Sequence, residues 1–189
     1  MKDDPDITRI RAYFAVCSRD FDAAEEIVRK SPNEEIVLFT FGLVPRQIWT
    51  LWVEFVRGNH PTTEEFGAAR EQLHRKVEAD PTDPYLMTAL AHADVALGRK
   101  EESIKEGKRA MELRPISEDA VEGPAIATFV SQLYALTNQL DAAFVELDIL
   151  VKIPGGWPNY GDLKTNPAWD PLRKDPRFDK LLAELAPRD

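Results

Sequence analysis

Histidine, cysteine and closely spaced carboxylates are the side chains from which metal sites and nucleophilic centres are built, and here they lack a productive spacing. His60, His74 and His92 are the three histidines. No two of them have the i, i+4 spacing by which a helix offers two ligands to one ion. Cys17 is the single cysteine. It makes no internal disulfide, which fits a reducing, cytoplasmic compartment, and on a mostly apolar helix it is expected as a small buried hydrophobe. The acidic pairs Glu34-Glu35, Glu64-Glu65 and Glu101-Glu102 fall at expected helix starts or turns, where the helix dipole and solvation account for them. Gly155, Gly156 and Gly161 are expected as turn residues, and the sequence contains no glycine-rich phosphate loop, nucleophile elbow or zinc knuckle. The expectation is a chain without catalytic residues, metal or cofactor.

Composition narrows the partners. Of 189 residues, 43% are hydrophobic, enough for a core in one domain, and 33 acidic residues against 24 basic ones leave a formal charge of -9. Such a chain repels phosphate backbones, and no basic run with interleaved aromatics is present, so nucleic acid is an unfavourable partner and a basic protein surface a better one. Met1 to Asp6 carries one lysine and three aspartates, which is unlike a secretory signal. Charged or glycine residues break every apolar run well short of a membrane span.

The elements that would have to position any site are helices. Between Pro84 and Pro115, Leu86, Leu90, Ala93 and Leu97 form one helical face, and Ile104, Ala110, Met111 and Leu113 most of another. Gly98 and Arg99 form the break between them. Ala91 and Ala110 are small enough to let two helix backbones approach closely. A second pair runs from Pro124 to Pro154, broken near Asn138 and Gln139, with Asp141 as the expected cap of its second helix. Its offset from the preceding pair is 40 residues. Upstream, Pro45 starts a helix to about Arg57, Gly58 and Asn59 break it, and Thr62 or Thr63 caps a partner reaching Ala79. Ile7, Ile10, Phe14 and Cys17 lie on one further helix, and Phe21, Ala24, Ile27 and Val28 on another. The apolar run Ile36 to Phe41 has strand propensity. With no second strand in view to pair with it, a buried connector or short helix is expected. Asn166 before Pro167 and Asp175 before Pro176 each give a cap followed by proline at a first helical position.

The segment from Pro84 to Pro115 resembles the tetratricopeptide repeat, a 34-residue helix-turn-helix unit. The wider chain, from about Arg11 to Leu182, is similar to the repeat domain found near the carboxyl end of bacterial multidomain regulatory proteins. Its most specific piece is the tail Asn166-Pro167-Ala168-Trp169-Asp170-Pro171-Leu172-Arg173, followed by Asp175-Pro176-Arg177-Phe178. Met87 and Asp94 stand where the repeat usually has aromatic residues. The resemblance implies an all-α fold, a right-handed α-solenoid of about four helix pairs over residues 6–31, 45–79, 83–114 and 124–153, with a capping segment at 162–186. It also implies a single domain acting as a non-catalytic scaffold for a protein or peptide.

In that family the first helix of each pair lines a concave groove. Carried over by position, the groove comprises Arg9, Tyr13, Ile48, Trp52, Phe55, Tyr85, Thr88, His92, Thr128, Gln132 and Ala135, a mixture of rings and polar groups suited to gripping a peptide. Trp52 and Phe55 fit the core equally well, because their helix is apolar on nearly all sides. Three rival readings remain. The apolar residues Leu38, Phe39, Phe41, Leu43 and Val44 could form a homodimer surface, the chain could be a regulatory domain of a longer signalling protein, or the groove could serve small-molecule catalysis.

Overall fold

The computed structural model describes residues 4–38, 42–154 and 156–187. Four antiparallel helix pairs follow one another: α1 (Pro5–Cys17) with α2 (Phe21–Lys30), α3 (Arg46–Arg57) with α4 (Thr63–Ala79), α5 (Pro84–Ala96) with α6 (Lys100–Leu113), and α7 (Glu122–Leu136) with α8 (Leu140–Leu150). Each pair turns by the same device. Arg19, Gly58, Gly98 and Asn138 all have positive φ, at 61, 99, 78 and 65°, and are spaced 39, 40 and 40 residues apart. In each case the following N–H closes the helix onto a carbonyl five residues back: Asp20 to Ala15, Asn59 to Glu54, Arg99 to Asp94 and Gln139 to Tyr134, at 2.8–3.0 Å. A left-handed residue at this point satisfies carbonyls that the helix end would otherwise leave open.

The first residues of several helices are fixed by side chains. Asp83 accepts from the N–H groups of Tyr85 and Leu86, and Thr62 and Glu65 form a reciprocal capping box. Asp141 does not cap α8. The chain has already closed at Gln139, so Asp141 lies in the first turn and pairs with Arg177 at 2.8 Å.

The segment after α2 departs from expectation. Residues β1 (Glu35–Leu38) and β2 (Gly42–Pro45) pair antiparallel, with Ile36 opposite Val44 and Val37 opposite Leu43. The short apolar run ending in Pro45 is therefore a second strand, and the next helix begins one residue later, at Arg46. Ile36 and Val44 are fully buried, and the indole N–H of Trp49 donates to the Val37 carbonyl at 2.9 Å. Val44 is thus core, Leu43 is exposed, and Phe39 and Phe41 lie outside the described residues. This hairpin also turns α1. Thr8, Ala12 and Val16 face inward, leaving Ile7, Ile10 and Phe14 exposed.

The core runs along α5 and α7. Every residue of α5 except Leu86 is buried, so this helix has neighbours on all sides. Ala91 and Ala110 are wholly buried, and Gly107 on α6 leaves so little room that a Cβ there would stand 2.9 Å from a Leu133 methyl. Beyond α8 come α9 (Tyr160–Thr165), a 3-10 segment (Pro167–Leu172) and α10 (Pro176–Leu185). Asn166 and Asp175 cap the last two as their spacing before proline predicts. Phe178 and Leu181 bury against the α7–α8 cluster, and the Arg177 guanidinium lies 4.1 Å from the centre of the Phe144 ring. Among the described residues no helix is long and apolar enough to cross a membrane.

Gly123, in the first turn of α7, faces the backbone of Pro115 and Ile116, where an added Cβ would lie 2.8 Å from the Ile116 Cα. Main chain cannot rotate away as a side-chain end can, so Gly123→Ala is expected to destabilise the fold by about 1–3 kcal/mol. Urea denaturation measures this directly, and an unchanged midpoint would contradict the close approach.

Candidate functional site

The tail does more than cover the end of the helical array; it reaches the first hairpin. Asp162, in α9, is 3% exposed. Its Oδ1 accepts from the Tyr13 hydroxyl of α1 at 2.6 Å and from the Asn166 amide at 2.9 Å, and its Oδ2 accepts from the Trp169 indole N–H at 2.8 Å. Nearby, Arg19 donates twice to the Asp170 carboxylate, at 2.8 and 2.7 Å. Burial pushes the Asp162 carboxyl up, against the pull of its three donors. Burial, then the charge of Asp162, holds the Tyr13 phenol well above its ordinary value.

Behind this junction lies a cavity of about 200 Å³. Arg9, Tyr13 and Val16 line it from α1, Trp49 and Trp52 from α3, and Ala125, Phe129 and Gln132 from α7. Trp157, Asp162 and Asn166 of the tail close the remaining side. Tyr13 and Trp157 approach with ring centres 6.3 Å apart. No family model matches this chain, and neither a curated protein nor a solved structure matches it.

Arg9, Tyr13, Trp52 and Gln132, expected on the groove, therefore converge on one cavity. Trp52 is at once a wall and a core residue, 6% exposed, with its ring 5.1 Å from that of His92. The others expected beside them lie elsewhere. Ile48, Thr88, His92, Thr128 and Ala135 are buried, Tyr85 is buried against the α7–α8 cluster, and Phe55 is half-buried against the core. His92 receives no water-facing role: its Nδ1 lies 2.7 Å from the Thr88 carbonyl, and burial lowers its pKa to about 4, so the ring is neutral at pH 7. Cys17 is half-buried, and burial pushes its thiol up, away from the reactive range. The lining residues absent from the expected groove are Val16, Trp49, Ala125, Phe129 and the tail group Trp157, Asp162 and Asn166. Asp162 and Asn166 stand at i, i+4 with Trp169 three residues on, a spacing that aligns polar groups on one side of a short turn.

A second cluster of charges lies between α4, α5 and α6. Asp94, fully buried, receives the Arg70 guanidinium through Nε and Nη2 at 2.9 and 2.8 Å, and Arg99 approaches at 3.2 Å. Glu106 faces the same carboxylate. Burial, and then the charge of Asp94, pushes its carboxyl up to about 8. The Asp94 carboxylate with two guanidiniums, and Glu106 protonated beside it, form a closed polar network, a structural joint between hairpins. Among the described residues no group of three or more His, Cys, Asp or Glu is placed to hold a metal ion.

The raised carboxyl has a sign. An unfolded Glu releases its proton near pH 4.3, whereas folded Glu106 keeps it to about 8. Between those values the native state binds more protons, so stability falls as pH rises through this window. Glu25, pushed up to about 7 chiefly by its hydrogen bond with Glu54, adds in the same direction. Buried His92, lowered to about 4, acts in the opposite direction up to its unfolded value near 6.5, so urea midpoints of the parent chain should decline from pH 7 to pH 9, and Glu106→Gln should flatten that slope. An identical slope in the variant would remove Glu106 as its source.

Proposed function

We propose that this chain is a non-catalytic interaction module, a tetratricopeptide-type right-handed α-solenoid of four hairpins that holds a partner protein on its concave side. The observation that carries the reading is the convergence of Arg9, Tyr13, Trp52 and Gln132, drawn from three separate first helices, on one cleft. The recurrence of the same left-handed turn every 39 or 40 residues supports the solenoid, since a repeated unit stacks by a repeated rotation. Because the tail fills the rest of that side, the cleft admits one anchoring side chain in place of a long extended peptide. Rigid aromatic walls lose little entropy on capture. The surrounding charge of -9 favours a partner that is basic around its anchor.

Affinity capture from a cell lysate tests this when Arg9→Glu and Trp157→Ala are run beside the parent chain. Both residues lie at the edge of the core, so helicity should persist while a specific partner is lost. Equal retention by all three proteins would refute the cleft as the capture site.

A second reading, self-association, is favoured by a different observation. Ile7, Ile10 and Phe14 are 47, 42 and 63% exposed, on one face of α1. An apolar helical stripe of this kind suits isologous packing of two copies. Light scattering should then show a mass that rises with concentration and falls back in Phe14→Asp. A strict monomer at high concentration ends this reading.

A further inference from the structure

The cleft behind α1 combines a size, a lining and a single charge. A cavity of about 150 Å³ with apolar walls is enough to take up benzene. At about 200 Å³ this one has room for a single ring with a short substituent. Tyr13, Trp52, Phe129 and Trp157 bring aromatic walls from four separate parts of the chain. Such walls suit a planar apolar group, which gains offset-stacked or edge-to-face contacts on several sides.

The charge is that of Arg9, the one cation among the lining residues. Its Nε is buried and makes no hydrogen bond to a described residue, and the ion pair it forms with the exposed Asp6 carboxylate is long, at 3.5 Å. A buried donor left open costs more than one that is paired, and a guanidinium gains most from an anionic acceptor of matching planar shape. Asp162 does not offer an equivalent opposite pole. Three donors at 2.6–2.9 Å already occupy its two oxygens. A phosphate ester would place two negative charges on a single guanidinium, whereas a carboxylate places one.

We propose that this cavity binds a free small aromatic carboxylate, one ring with the acid on a short linker, the ring held among the aromatic walls and the carboxylate on Arg9. The inference goes beyond protein capture, although it uses the same cleft: a free acid and an anchoring side chain would compete for it.

The test uses the purified full chain and phenylacetate, with phenylacetamide and phenethylamine as neutral and cationic counterparts. Tryptophan fluorescence reads occupancy, because Trp49, Trp52 and Trp157 line the site, and calorimetry gives stoichiometry. Phenylacetate should bind one to one, with phenylacetamide weaker by roughly tenfold or more. Arg9→Gln should bring the acid down to the level of the amide and leave the amide unchanged. Circular dichroism checks that this variant folds, and the acid-against-amide comparison on the parent chain stands without it. Equal binding of acid and amide, tighter binding of the amine, or no saturable binding of the acid would each overturn the proposal. So would binding of a peptide with a C-terminal phenylalanine where phenylacetate fails. No partner protein is present in these titrations, so their failure leaves the capture reading standing, and failure of capture leaves the titrations interpretable.

Discussion

The carboxylate of Asp162 is the contact on which the arrangement of this protein turns, because it joins the first helix to the last part of the chain. Its burial carries a penalty of several kcal/mol. Each of its three donors returns about 1.5–3 kcal/mol, so the group comes out near balance and its effect is directional. Only one placement of α1 and the tail brings the Tyr13 hydroxyl, the Asn166 amide and the Trp169 indole to the same two oxygens. Arg19 fixes the same junction from the turn. It adopts a left-handed conformation that disfavours a side chain by about 1–2 kcal/mol, and its guanidinium is spent on Asp170 of the tail. Once these contacts are made, the tail closes one side of a cavity whose other walls come from α1, α3 and α7.

Charge plays a similar directional part between the hairpins. In α5, where the flanking helices leave no solvent face, the polar residues Thr88, His92 and Asp94 must find partners inside. Thr88 donates to the Tyr85 carbonyl of its own helix, and His92 meets the Thr88 carbonyl and also hydrogen-bonds Gln132 of α7. Asp94 instead reaches outward to Arg70 on α4 and Arg99 at the turn. An aromatic residue at that position would pack in many registers. A carboxylate that needs two guanidiniums accepts few, and so it holds the second hairpin against the third.

Much of the fold was legible because helix ends are written locally. Gly58 and Gly98 break the chain where left-handed backbone is required, and Thr62, Asn166 and Asp175 cap by short-range hydrogen bonds whose spacing is visible in the sequence. Features fixed by distant contacts were not legible. The β1–β2 hairpin is stabilised by Trp49 and by burial of Ile36 and Val44, and neither shows in a four-residue run that ends in proline. The inward face of α1 is likewise set by distant contacts. The hairpin and α2 cover the face of Thr8, Ala12 and Val16 and leave the stripe of Ile7, Ile10 and Phe14 exposed. Arg9, Tyr13, Trp52 and Gln132, which line the cavity, could be named from the sequence because each lies on the first helix of a pair, α1, α3 or α7. Trp157, Asp162 and Asn166 could not be, since their place in the cleft depends on a contact spanning 149 residues.

These facts give α1 an unusual position. Its inner side supplies Arg9, Tyr13 and Val16 to the cavity, and its outer side leaves three large apolar residues in solvent. Its placement depends on the burial of Ala12 and Val16 in the core, on α2 and β1, and on the Asp162 and Asp170 junctions. Those junctions are hydrogen bonds to fixed atoms, which resist small displacements more sharply than apolar burial does. The cavity behind α1 therefore keeps its shape without a filler, and cohesion of the core alone would tend to collapse it.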